Sequence, residues 1–291
     1  MVVTRELSGL LDLARKIWDM YRLQHDPFRR QADRVLSAFK SHEIAPTQIG
    51  RLLPAPPLLS LCDLAYPDAL KKHLTPELIY WVRETLQLEQ EWLDGTSLRP
   101  HQRIDRYKRP EELHKWLSQR HDPDSHELRF TLHIFKLDDR PLGEDSQGPF
   151  VIVLEERFAE LNDQSVSRYY YLTEGANFDH YPCLLHLLQI LALAHCHGLI
   201  VRGWVMSRKC LHKLDEGEDL LPNLWRINIG QSWHPDDVLW PHMSGCDPRL
   251  EKMRKDLDES LVAAGMQLLV DELEADRQRW GAVALEQVGR P

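Results

Sequence analysis

Ile44-Ala45-Pro46-Thr47-Gln48-Ile49-Gly50-Arg51-Leu52-Leu53, answered further on by Leu74-Thr75-Pro76-Glu77-Leu78 and closed by Trp92-Leu93-Asp94-Gly95, is the stretch whose reading decides the first third of this chain. Its apolar residues recur at helical spacing, so residues 45–53 read as a short helix. Just before it, Ala32, Val35, Leu36 and Phe39 make one apolar face, which predicts a helix over 27–41. Pro27 stands near its start, where a missing N–H costs little. Earlier still, Leu7, Leu10, Leu11, Ala14, Ile17, Trp18 and Tyr21 predict an amphipathic helix over residues 5–24, packed on its own domain or used in a dimer contact.

The order of these pieces resembles the Cro/repressor-type helix-turn-helix family over residues 27–96. In that family the second helix runs roughly Leu-Ser-Gln-x-Glu-Leu-Ala-x-x-Leu. Ile44 to Leu53 is similar at the apolar positions, with Gly50 at the small residue where two helices approach closely. The family closes on Ile-Ala-x-x-Leu-x-Val-x-x-x-Trp-Leu-x-Gly, and Val82, Leu86, Leu88, Trp92, Leu93 and Gly95 stand at the same spacing. Gly95 is also a reasonable helix-ending residue. The resemblance implies an all-α bundle and contact with double-stranded DNA. Thr47, Gln48 and Arg51 would then touch phosphates, and Lys71 and Lys72 would extend the contact.

Between the matching pieces the chain departs from the family. Pro54-Ala55-Pro56-Pro57-Leu58-Leu59-Ser60-Leu61-Cys62-Asp63-Leu64 occupies the place of the recognition helix. Its prolines forbid a regular helix through the turn. No Arg, Asn or Gln lies between Leu52 and Leu70, and these are the usual bidentate base readers.

Residues 98–112 read as a linker rich in basic groups, bracketed by Pro100 and Pro110. Arg99, Arg103, Arg106, Lys108 and Arg109 would supply a phosphate-contacting arm, or else a solvated connector facing the acidic residues that follow. Lys and Arg balance Asp and Glu in residues 1–100, so the whole formal charge of −9 falls on residues 101–291. That excludes broad nucleic-acid coating by the second half.

From residue 113 the periodicity changes. Leu128, Phe130, Leu132 and Ile134 alternate with polar residues, as in a half-buried strand. Phe150–Leu154, Arg168–Leu172, Leu199–Met206 and Leu224–Ile229 read as further strands, and Glu155-Glu156 as a strand end rather than paired catalytic carboxylates. Residues 182–197 are nearly all apolar, which predicts a buried core helix. Residues 247–279 read as one long amphipathic helix on the stripe Leu250, Met253, Leu257, Leu261, Ala264, Leu268 and Leu269. The expected fold is therefore an all-α helix-turn-helix-like bundle (1–97), the basic linker (98–112), and an α+β domain (113–291) with an antiparallel sheet and a long C-terminal helix. By element order alone the second domain is similar to the PAS or GAF sensory class.

Chemistry is sparse. His180, Cys183, His186, His195, Cys196 and His197 surround the core helix, but only Cys183 and His186 lie one turn apart, so no metal site is expected. Cys62, Cys183, Cys196, Cys210 and Cys246 form no CxxC pair and read as reduced thiols. There is no GxSxG, Walker loop or HExxH, so no catalytic residue and no cofactor is expected. Phe178 and Tyr181, at the entry to the core helix, are where a small-molecule cavity is expected. No run is long enough to span a membrane, and the start lacks the order of a secretory signal. These features together predict a cytoplasmic, dimeric transcription regulator with a ligand- or partner-sensing second domain. The alternative is an interaction protein that keeps the bundle for assembly without binding DNA.

Overall fold

The computed structural model describes residues 26–55, 59–104, 107–120, 129–143, 145–228, 230–241 and 248–288. The expected helix over 5–24, Leu58, Arg106, Leu128, Ile229 and Cys246 lie outside them. The chain divides into two compact units: residues up to Pro100 together with the hairpin tip Leu161–Val166, and the remainder from His101 onward.

In the first unit α1 (Pro27–Ser41) buries Ala32, Val35, Ala38 and Phe39. Its first turn is capped by Asp26, whose Oδ1 accepts from Phe28 N at 3.0 Å and Arg29 N at 3.1 Å. The next helix, α2 (Pro46–Ile49), is a single turn. A 3₁₀ turn (Leu61–Leu64) and the four-residue α3 (Pro67–Leu70) follow. A Cβ on Gly50 would lie 2.6 Å from Leu61 Cδ2, the close approach that its position predicts. Next, α4 (Pro76–Leu86) starts on Thr75, whose Oγ1 accepts from Leu78 N, and stops where Gln87 turns left-handed at φ 52°. Gly95 ends α5 (Gln90–Asp94) at φ 86°, and the Arg34 guanidinium occupies the space a Cβ would need.

The second unit opens with residues expected to be linker. Instead they belong to the fold. Ile104 N donates to Tyr171 O at 2.8 Å and Tyr171 N to Gln102 O at 3.1 Å, so this segment pairs with the end of a strand whose backbone groups would otherwise lack partners. After α6 (Pro110–Ser118) come β1 (Phe130–Lys136), β2 (Val151–Leu161), β3 (Gln164–Tyr171), α7 (Tyr181–Cys196) and β4 (Ile200–Val205). Then follow α8 (Arg208–Glu216), α9 (Leu221–Asn228), β5 (Ser232–Trp233), α10 (Pro248–Ala263) and α11 (Gln267–Val288). The sheet order is β3-β2-β1-β4-β5. Asn162 and Asp163, both at positive φ, make the two-residue turn between β2 and β3.

Strand alternation sends Phe130, Leu132, Ile134, Ile152 and Leu154 into a first core with α6, α7, α10 and α11. Phe135, Val151, Val153 and Tyr171 enter a second core under α8 and α9. The unit is thus a mixed sheet between two helical layers, an α+β fold. Gly203, in β4, lets β5 approach so closely that an added Cβ would lie 2.5 Å from Trp233 O.

Three expectations need correction. The sheet is not wholly antiparallel, because β1 pairs with β4 in parallel (His133↔Arg202), reached through the α7 crossover. Of the expected strand Leu224–Ile229, residues Leu224–Asn228 are helical: Leu221 and Leu224, one turn apart, bury the inner face of α9, and Pro222 suits its first turn. The single C-terminal helix is two, broken where Gly265 turns to φ 78°, which leaves Leu268 85% exposed rather than on the buried stripe. Among the described residues no helix is long and apolar enough to cross a membrane.

Glu156 is the most demanding buried charge of this unit, with no exposed side-chain surface. It accepts from Arg168 Nε at 2.8 Å, Tyr170 OH at 2.5 Å and the Arg129 guanidinium. Burial alone would raise the carboxyl, yet the bonds from Arg168, Tyr170 and Arg129 outweigh it and hold it low. Glu156→Gln keeps the shape and leaves two guanidinium groups without their anion, so it should cost about 3 kcal/mol, read as a lower urea midpoint.

Candidate functional site

The residues expected to contact DNA are dispersed. Thr47 and Arg51 are exposed on and just after α2, and Lys72 is exposed after α3. Gln48 turns back to cap its own helix at the surface, its Oε1 accepting from Ala45 N at 2.8 Å. Lys71 is committed to Asp68 at 2.8 Å and Asp26 at 3.0 Å, and those two hydrogen bonds raise its pKa. Arg99 is exposed at the end of the first unit.

Arg103, Lys108 and Arg109 belong to the second unit. Arg103 donates to Asp215 O at 2.7 Å and Thr173 O at 3.3 Å, which fastens it to the fold instead of offering it to phosphate. Lys108 and Arg109 are exposed, with Arg109 3.1 Å from Glu112. The element in the place of the recognition helix carries Leu61 and Tyr66, 57% and 58% exposed, and its charges are the carboxylates Asp63 and Asp68.

Phe178 and Tyr181, the place of the expected cavity, are each engaged with another side chain. Phe178 is buried and stacks on Phe150 at a centroid distance of 4.3 Å. Tyr181 OH donates to Asp256 at 2.5 Å. A cleft of about 440 Å³ lies instead along one face of α6, lined by Glu112, Lys115, Trp116 and Gln119. The histidines and thiols around α7 go to separate neighbours. His195 bonds Asp276 at 2.9 Å, Cys183 is buried, and the Cys196 thiol is pushed up to about 12 by burial and the nearby Glu272 carboxylate. No set of three or more metal-ligating side chains occurs among the described residues.

A polar constellation that the sequence does not announce lies on the sheet face opposite α7. Strand alternation aims His133 of β1, Glu155 of β2, Ser167 of β3 and Trp204 of β4 to this side. Trp204 Nε1 lies 3.0 Å from His133 Nδ1, and an indole N–H only donates. The imidazole proton is therefore on Nε2, which donates to Glu155 Oε2 at 2.7 Å. Ser167 Oγ donates to the other carboxylate oxygen at 2.6 Å. Trp225 of α9 closes over the imidazole, centroid distance 4.1 Å, and Tyr169 stands 5.9 Å from Trp225.

This network fixes one tautomer, and its chemistry follows from that. His133 is 1% exposed, with both ring nitrogens occupied, and burial lowers its pKa despite the Glu155 carboxylate. Burial tends to raise Glu155, but hydrogen bonds from His133 and Ser167 hold it low. Ser167 faces the carboxylate and not the imidazole, so the nucleophile–base contact of a hydrolase is not made. What the face presents to solvent is a held carboxylate beside half-buried Tyr169, Trp204 and Trp225, with exposed Arg202 alongside.

Because folded His133 is harder to protonate than its unfolded counterpart, unfolding takes up a proton below about pH 6.5. Stability should be flat above that value and fall as the solution is acidified. His133→Gln keeps a donor toward Glu155 but cannot titrate. Its unfolding free energy should be about 1–2 kcal/mol lower at neutral pH, since the half-buried Trp204 indole N–H loses its imidazole acceptor, and the difference from wild type should shrink toward pH 5 in urea titrations. No family model matches the chain, and no curated protein or solved structure matches it either.

Proposed function

We propose that the protein is a cytoplasmic interaction protein whose first unit is a repressor-like bundle used for assembly instead of base reading. The observation that carries this reading is the surface of residues 59–70. Leu61 and Tyr66 face solvent there and Leu59 and Leu64 are buried beneath them; the segment's own charges are Asp63 and Asp68, the latter paired with Lys71 and Arg29, and it carries no basic side chain. A major groove lined by phosphates repels carboxylates and gains little from leucine. A protein partner with an apolar face gains from both exposed side chains. The partner proposed is a second copy of the chain, giving a homodimer.

A transcription regulator that touches the DNA backbone is the second reading, supported by the solvent-facing Thr47, Arg51 and Lys72. In this reading the second unit senses a ligand or partner through the Tyr169–Trp204–Trp225 face.

Two measurements separate these readings. The anisotropy of a fluorescent mixed-sequence duplex should not change on adding the intact protein at about 50 mM salt, where phosphate contacts are strongest. Binding that weakens steeply toward 200 mM, and disappears in Arg51→Ala/Lys72→Ala, would establish the regulator instead. Sedimentation velocity should find wild type self-associated and Leu61→Asp/Tyr66→Asp monomeric. A monomeric wild type rules out the homodimer.

A further inference from the structure

We propose that His114 and His197 form a surface binding site for a transition-metal dication of the kind that imidazole binds, tested here with Zn²⁺. His114 projects from α6 and His197 is the residue that ends α7. Their rings face each other, with Nδ1 of His114 2.9 Å from Nε2 of His197 and centroids 4.9 Å apart. The two elements are held in place by the same core: Leu113, Trp116 and Leu117 of α6 pack with Leu187, Leu191 and Ala194 of α7. The imidazoles are therefore presented on a rigid frame rather than on loops, as a metal pair requires.

The geometry needs little adjustment. Zinc–imidazole bonds of about 2.0–2.1 Å at a tetrahedral angle place the two nitrogens about 3.3 Å apart, so the pair has only to open by a few tenths of an ångström. Without metal, one ring must donate an N–H to the other, and a hydrogen bond between neutral groups at the surface contributes little. With metal, both lone pairs point at the ion, and the other ring nitrogen of each imidazole carries the proton. His114 is exposed and His197 half-buried, so the ion has an open path.

The test is calorimetric titration of the intact, reduced protein with ZnCl₂ at neutral pH, and again at about pH 5, where imidazoles are protonated. His114→Gln, His197→Gln and the control His212→Gln run alongside. Glutamine retains hydrogen-bonding capacity but has no imidazole lone pair, so it removes the metal site with little change in packing. Circular dichroism verifies that each variant is folded. The expected result is one zinc equivalent bound by wild type and by the control. The affinity should be at least ~10-fold lower in each of the other two variants, and binding should vanish at the acid pH. Zinc binding of unchanged strength in either variant, or none in wild type at neutral pH, overturns the proposal.

Discussion

A parallel partner for β1 cannot be reached by a tight turn, and this constraint shapes the whole second unit. The chain has to leave the sheet after β3 and cross it before returning beside β1, and the sixteen residues of α7 are that crossing. A helix laid across a sheet must be apolar toward the strands, and one also covered by α10 and α11 must be apolar nearly all round. The composition of α7 follows. So does the burial of β1, which lies between β2 and β4 with a helical layer over each face and shows no exposed residue.

The same alternation separates two neighbouring carboxylates. Glu155 and Glu156 are consecutive in β2, so they face opposite sides of the sheet. Glu156 meets arginines and a tyrosine at the rim of the first core. Glu155 meets an imidazole and a hydroxyl on the other face. Each is held ionised by partners from β3 and from β1 or the residue just before it, Arg129. The pair is thus two independent anchors that tie three strands together, one on each side, and neither is a catalytic couple.

Much of this was legible in the residues. The strands at Phe130–Ile134, read from alternation, and at Phe150–Leu154, read from a continuous apolar run, the apolar stretch of α7, and Gly95 as a helix stop are found where expected, although β1 is buried on both faces and not half-buried as its alternation suggests. What was not legible depends on long-range partners. The direction of β4 is set by the crossover and not by its own residues. Leu224-Trp225-Arg226-Ile227 alternates like a strand, but Leu221 one turn earlier supplies a helical face that only α8 and the sheet make decisive. A single Gly265 inside a long apolar stripe gave no sign that the chain would turn left-handed there. His133 looked like one more polar residue of an alternating strand; its partners are 22 and 71 positions away. The pairing of His114 with His197, 83 positions apart, was equally hidden.

The hairpin of β2 and β3 is joined by two residues, whereas the hydrogen bond from Trp204 to His133 closes a loop of 71 positions. Loop-closure entropy makes the first pairing quick and the second slow. Until β4 is in place, the β1–β2–β3 meander has an open β1 edge, with Phe135 and Ile134 beside an unmatched row of backbone groups. An edge of that kind invites strands from other molecules. Protection rests on how soon α7 docks, which makes the crossover helix the part of the molecule that guards it against misassembly while it is being made.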